Sequence, residues 1–380
     1  MMKKKRKILY ISGTRADYGL MRQTLLAISK SPKLDLEILA CGMHIMPEFG
    51  NTISEIKKDK FKVQAMAAVY KKDDPASTVG FIGELLKKLP EKIKKIRPNI
   101  ILLAGDRAEA LAAAVGAAYL RIPVAHVHGG DKSMTVDDVV RHTITQLASI
   151  HFPATKKSGE RILGMGEEKW RINVVGAPGL DGILKSTLAS PKEISKKYDI
   201  DLKKPLILVI QHPVSEQISQ AVSQMQATMS AIKELGLQTI VIYPNADAGG
   251  RAMIKVIEAH RKYPFIKIYK NISRADFLGL MRVARAMVGN SSSGIIEAPS
   301  FYLPVINVGI RQQGRERAGN VIDVNHKKEE IKKAMTRAMY AKKFIAMVKK
   351  SKSPYGNGTA SNKIAKILEN VDIKKLHGKI

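Results

Sequence analysis

A single cysteine, Cys41, stands in 380 residues. One thiol supplies neither a disulfide framework nor a cysteine-based zinc site, and a reducing cytoplasm is the expected compartment. Long apolar runs are missing too. None approaches the ~20 residues that a membrane-spanning helix needs. The basic start, MMKKKRK, is followed only by the short strand-like run Ile8–Ser12, which does not read as a signal peptide. Acids are scarce: Asp+Glu number 34 against 64 Lys+Arg, a formal charge of +30. Such a balance suggests nucleic acid, an anionic membrane surface or a phosphorylated ligand. Yet the lysines lie in scattered pairs (Lys57-Lys58, Lys87-Lys88, Lys349-Lys350), and aromatics, at 5%, do not interleave with them. A solvated lysine-rich surface is expected, with no nucleic-acid and no membrane partner. Several chemical motifs are also absent. There is no G-x-x-x-x-G-K-[ST], the Gly13-Thr14-Arg15 turn lacks G-x-G-x-x-G, and no HxxxH or CxxC spacing occurs. No metal and no cofactor is expected.

What is present is a regular alternation of strand and helix. At 380 residues the chain exceeds one comfortable core, so two domains are expected. Strands are read at 6–12, 34–40, 99–104, 123–127, 151–153 and 172–175. A second set follows at 206–210, 239–243, 265–269, 286–288 and 304–308. Helices fall between them, at 19–29, 52–58, 76–96, 108–119, 156–166, 178–187, 216–235, 249–261, 274–284, 327–350 and 360–369, with another ending near 150. This is the α/β, doubly wound pattern, in two Rossmann-like halves. The expected division is a domain over 1–190, a linker over 191–204, a domain over 205–355, and a terminal helix over 356–380 that crosses back to the first.

The stretch Gly289–Asn320 carries the most chemistry. An apolar strand runs into Gly289, Asn290, Ser291, Ser292 and Ser293, then a helix-like stretch with Glu297, then a loop with Arg311, Arg315 and Arg317. Gly and Ser at a helix start form a phosphate cradle. Glu297 lies where it could take a ribose hydroxyl pair, and the arginines could close on a diphosphate. A plain strand–turn–helix with a Ser N-cap is the other reading. More polar residues gather at strand carboxyl ends, where open α/β sheets bind ligands. They are Arg15; Asp106 with Arg107 and Glu109; His128 and Asp131; Asp137, Asp138, Arg141 and His142 in a polar loop; His212 before Pro213; and Asn245 with Asp247. Asp106 either caps the next helix or works catalytically, and His128 is either structural or catalytic. Asp131 also reads as a turn cap, and Asp137-Asp138 with Arg141-His142 carry capping and salt-bridge readings beside the chemical one. Glu109 reads as a structural first-turn acid.

Taken together, Gly13-Thr14-Arg15-Ala16-Asp17-Tyr18, Gly105-Asp106-Arg107, His126-Val127-His128-Gly129-Gly130-Asp131, Gln211-His212-Pro213, Pro244-Asn245-Ala246-Asp247, Gly289–Gly294 and Arg311–Glu316 resemble the UDP-N-acetylglucosamine 2-epimerases over nearly the whole chain. The GTRADY start is similar to the hydrolysing branch, which feeds sialic-acid-type sugar synthesis. The resemblance implies a GT-B-like fold with the active site between two Rossmann-like domains, and a homodimer or homotetramer. It implies conversion of UDP-GlcNAc and water to N-acetylmannosamine and UDP, by elimination to a 2-acetamidoglucal and rehydration. Alternatives are hydrolysing epimerisation of a UDP-2,4-diacetamido-2,4,6-trideoxy sugar, on the legionaminic-acid route, and non-hydrolysing epimerisation. By the same resemblance, Ser291 and Ser292 hold phosphate, Glu297 the ribose, and Arg15 and Arg311 the diphosphate side, with Arg107 also binding substrate. His212 and Asn245 line the nucleotide–sugar site, with His212 also a catalytic candidate, Asp106 is the catalytic carboxylate, and Asp137/Asp138 are the acidic pair. His128 stands where many relatives have Glu. Either it moves the proton, which an ordinary imidazole pKa near ~6.5 suits, or Asp131 does.

Overall fold

The computed structural model describes residues 5–72, 74–133, 135–185 and 188–379. The chain divides into two compact units. One holds residues up to 132, 136–184 and 355 onward; the other holds 133–135 and 185–354.

The first unit runs β1 (Arg6–Ser12), α1 (Arg15–Lys30), β2 (Leu34–Ala40), α2 (Ile53–Lys58), β3 (Val63–Ala65), α3 (Pro75–Ile96), β4 (Ile100–Ala104), α4 (Ala108–Tyr119), β5 (Val124–Val127), α5 (Val136–Leu147), β6 (Ile150–Phe152), α6 (Lys156–Gly164) and α7 (Pro178–Lys185). All its strands are parallel, in the order β3-β2-β1-β4-β5-β6. Helices cover both faces of such a sheet, so its inner strands read as unbroken apolar runs. Ile8, Leu9, Ile100, Ile101 and Leu102 are fully buried accordingly.

The second unit runs α8 (Pro191–Tyr198), β7 (Leu206–Ile210), α9 (Ala221–Leu235), β8 (Gln238–Ile242), α10 (Gly250–Glu258), β9 (Ile266–Tyr269), α11 (Arg274–Val283), β10 (Ala286–Gly289), α12 (Ser292–Ile296), β11 (Val305–Val308), β12 (Val321–Val324), α13 (Lys328–Tyr340) and α14 (Lys342–Lys350). Its parallel order, β12-β11-β10-β7-β8-β9, is the same winding. In each sheet the winding reverses beside the first strand, between β1 and β4 and between β7 and β10. Ligands of doubly wound sheets bind at the carboxyl ends of such a pair. In the first unit that place holds Gly13–Asp17 and Gly105-Asp106; in the second it holds Gln211-His212 and Gly289–Ser292.

Several boundaries differ from the sequence reading. Helix α1 begins at Arg15, not Gly19, because Thr14 and Asp17 form a capping box. Asp137, Asp138, Arg141 and His142 lie on α5 rather than in a loop. Residues 172–175 form one bridge, His151 to Ile172, instead of a strand. The expected helix over 327–350 is broken at Ala341. The stretch read as a linker contains α8, whose N-cap Ser190 forms a capping box with Glu193. Positions 186 and 187 of the expected 178–187 helix lie outside the described residues.

The chain ends in α15 (Ala360–Asn370) and α16 (Ile373–His377), which belong to the first unit. Ile364 and Leu368 are fully buried in its core. Fully buried Asp181 anchors this return, accepting the N–H groups of Ala360 at 3.1 Å and Ser361 at 2.6 Å. Asp181→Ala leaves those donors unmet at the start of α15, so we expect a loss of about 1–3 kcal/mol in urea unfolding. An unchanged midpoint would show that α15 is capped by other groups.

Candidate active site

In the first unit the Gly13–Tyr18 turn is built around Asp17. Its carboxylate accepts from the N–H groups of Gly13 (3.0 Å) and Thr14 (2.8 Å), from Thr14 Oγ1 (3.2 Å) and from Ser12 Oγ. Burial pushes the Asp17 pKa up, and these donors oppose the shift. Asp17 therefore shapes the turn from within, and Arg15 opens the helix partly exposed, its Nε 3.4 Å from Glu55. Gly13 lies flat against Glu109: a Cβ there would stand 1.6 Å from Glu109 Oε1. Glu109, 3% exposed, accepts from Arg107 Nε at 2.8 Å.

The next strand end centres on Arg141, whose side chain is 1% exposed. Its guanidinium pairs with Asp106, with Asp138 Oδ1 at 2.6 Å and with the Asp131 carbonyl at 2.9 Å. Burial alone would lower the Arg141 pKa; the charges of Asp106, Asp131 and Asp138 outweigh it and push it up. Arg107, not Asp106, occupies the N-cap of α4. His126 fixes the backbone before Asp106: its Nε2 is 2.8 Å from the Gly105 carbonyl, and burial holds its pKa at about 3. The neutral ring thus carries its proton on Nε2. His128 has a positive φ of 63°, and its Nδ1 faces Asp131 Oδ2 at 3.5 Å. Asp131 is held in turn by Ser158 Oγ at 2.8 Å. Asp137 lies half-buried in the first turn of α5. The structure thus brings Asp106, Asp138, Arg141, Asp131 and His128 into one connected cluster. The sequence reading offered Arg141 a salt bridge within its own segment; the structure adds the pairing with Asp106.

In the second unit, β7 and β10 end side by side. Gly289, at φ 129°, passes so close to Ile210 that a Cβ would lie 2.0 Å from its carbonyl oxygen, which requires glycine. His212 Nδ1 accepts the Asn245 N–H at 3.1 Å, so its neutral ring also carries the proton on Nε2. Ser291 is the N-cap of α12, accepting from the Ser293 N–H at 3.4 Å. The helix behind the serines is one short turn rather than the longer stretch expected, and Glu297 sits at its C-cap. There Glu297, 1% exposed, is ion-paired to Arg274, a residue for which the sequence carried no signal. Arg311 Nη1 (3.2 Å) and Gln312 Nε2 (3.0 Å) both donate to the Asn290 carbonyl, tying the arginine loop to the serine turn. Arg317, expected with Arg311, instead pairs with Asp323 on β12 at 2.6 Å. Among the described residues no cluster of metal-ligating side chains occurs, and no helix is long and apolar enough to cross a membrane.

This geometry is carboxylates and an imidazole at one switch point, and a glycine–serine turn with arginine at the other. Known proteins resemble the chain in sequence and in fold. The chain is 40% identical, over 97% of both chains, to a Legionella pneumophila protein named UDP-N,N'-diacetylbacillosamine 2-epimerase (hydrolyzing). It is 34% identical to a UDP-N-acetylglucosamine 2-epimerase of Neisseria meningitidis, over 90% of this chain and 89% of the relative. The fold matches the crystal structure of a UDP-GlcNAc 2-epimerase from Neisseria meningitidis bound to UDP-GlcNAc, with a TM-score of 0.78 at 18% identity, covering 95% of this chain and 99% of that one. The two doubly wound units are therefore GT-B-like. The family signature of UDP-N-acetylglucosamine 2-epimerase matches residues 26–369, which hold nearly every strand end described above, and the chain belongs to that family.

Proposed function

We propose that the protein is a hydrolysing 2-epimerase of a UDP-linked 2,4-diacetamido-2,4,6-trideoxy sugar, releasing UDP and the free 2-epimeric sugar. The observation that supports this substrate is the 40% identity, across 97% of both chains, to a relative named for UDP-N,N'-diacetylbacillosamine, against 34% to one named for UDP-GlcNAc. UDP-GlcNAc, the first reading of the sequence, thereby becomes the second.

The reaction removes the C2 proton and breaks the C1–O bond to UDP, giving the 2-acetamidoglycal. Water then adds its hydroxyl at C1, and a proton returns to C2 on the opposite face. Two acid/base groups and a stabilised leaving anion are required. In this reading Asp106 takes the first proton, held in place by Arg141. His128 returns the second, with the Asp131 carboxylate behind its Nδ1 and Nε2 turned to the substrate. Asp138 and Asp137 complete the acidic side. Ser291, Ser292, Arg311, Arg15 and Arg107 hold the diphosphate, His212 Nε2–H donates to it, Asn245 keeps that ring oriented, and Glu297 takes the ribose.

The test is incubation with UDP-N,N'-diacetylbacillosamine and with UDP-GlcNAc in D₂O, followed by NMR. Free UDP and a free 2-epimeric sugar should appear one for one, with deuterium at C2, and the diacetamido substrate should react at least about tenfold faster in kcat/KM. Faster turnover of UDP-GlcNAc would reverse the substrate assignment. Epimerised sugar still attached to UDP would point to the non-hydrolysing reaction, and no UDP from either compound would remove the enzymatic reading.

A further inference from the structure

We propose that the Asn290 side chain is a positioning residue for His212, setting its imidazole as a fixed Nε2–H donor; that the recipient is a nucleoside diphosphate rests on the function proposed above. Asn290 is 1% exposed, and a buried amide needs partners on both its oxygen and its nitrogen. Its Oδ1 accepts the His212 N–H at 2.7 Å, and its Nδ2 donates to the His212 carbonyl at 2.9 Å. This is the two-point contact that a neighbouring strand would make with its backbone. It occurs where the ladder has run out: the last β7–β10 pair is Ile210 with Gly289. Pro213, next in the chain, has no N–H with which to continue a ladder. The side chain of Asn290 therefore holds His212 two residues past the end of the sheet.

The consequence lies in the ring. With the His212 backbone fixed, Nδ1 meets the Asn245 N–H at 3.1 Å. A backbone N–H can only donate, so the neutral imidazole keeps its proton on Nε2. An aspartate at 290 could still accept the His212 N–H, but it would set an oxygen against the His212 carbonyl. The position thus uses both ends of an amide, which core filling would not require. The backbone of Asn290 meanwhile leads directly into Ser291 and accepts from Arg311 and Gln312.

The experiment compares the wild type, Asn290→Ala, His212→Ala and the double variant. UDP affinity is measured by calorimetry, the His212 tautomer by long-range ¹H–¹⁵N NMR, and folding by thermal melting. Asn290→Ala should weaken UDP binding about tenfold in the wild-type background and less than about threefold beside His212→Ala, because the two act through one contact. The His212 ring should pass from a single Nε2–H form to a tautomer mixture. Equal losses of affinity in the two backgrounds, or an unchanged tautomer in Asn290→Ala, would overturn the proposal. If Asn290→Ala does not fold, Asn290→Ser takes its place in the same measurements, and the same results support or overturn the proposal. A wild type that binds no UDP would sink the proposed function alone, and the tautomer comparison would then decide the role of Asn290.

Discussion

Asp106→Asn is expected to cut turnover by about 10³-fold while leaving UDP affinity within about threefold, the loss appropriate to one acid/base group. The substitution is nearly isosteric. An asparagine oxygen can still accept from Arg141, which also keeps Asp138 at 2.6 Å and the Asp131 carbonyl at 2.9 Å. What disappears is a carboxylate able to take a proton, on a side chain that is 20% exposed and thus reachable. Of the groups proposed to hold UDP, Ser291, Ser292 and Arg311 belong to the other unit, and the substitution leaves the Arg15 and Arg107 side chains in place. Arg141→Met is the contrasting variant. It removes the cation that Asp106 and Asp138 share. Breaking such a buried pair costs about 3–5 kcal/mol, so this protein should lose both stability and activity. The checks are UDP release for turnover, calorimetry for affinity and urea melts for both variants. An Asp106→Asn affinity that falls as far as its rate would make Asp106 a ligand contact rather than the base.

Lowering the pH from 7.5 to 4.5 should destabilise the first unit by about 5 kcal/mol, roughly half from His126 and half from His44. Burial holds the folded pKa of His126 at about 3 and that of His44 at about 4. An unfolded imidazole binds its proton near ~6.5. Between those limits the unfolded chain carries more protons. The stability present at neutral pH is therefore lost as pH falls below about 6.5, and the loss levels off only as the folded rings titrate near their own pKa values. His142 and His151 are lowered by burial as well, and act in the same direction. Asp17, raised by burial, acts in the opposite direction. A loss of this size is comparable to the whole stability of many domains, about 5–15 kcal/mol. Urea midpoints across this pH range measure it. His126→Gln, whose amide can still donate to the Gly105 carbonyl, should remove close to half of the pH dependence. A flat midpoint down to pH 4.5, or an unchanged slope in His126→Gln, would contradict this account.

The parts of the fold legible in the sequence are those with strong local signals. Strands buried on both faces show as apolar runs, so β1, β4 and β7 could be placed almost to the residue. The two strands that were missed, β3 and β12, are sheet edges of three and four residues whose side chains are largely half-buried or exposed. Edge strands need no apolar run, and periodicity has nothing to detect. The break between α13 and α14 was invisible for the opposite reason, since the helical pattern continues through it.

The sequence by itself determined the βα alternation, the strand ends at which polar residues emerge, and the identities of the groups available there. Each of these follows from neighbours in the chain: hydrophobic period, glycine turns and helix caps. Tertiary structure alone decided who meets whom. Arg141 reaches Asp106 across 35 positions and Asn290 clamps His212 across 78, because α4, which follows Asp106, packs against α5 and β7 lies beside β10. It also decided that Glu297 is buried against Arg274, and that Asp17 turns inward to hold its own loop. Those pairings depend on strand order and on burial, which turn a solvated charge into one that must find a partner. A linear pattern contains neither.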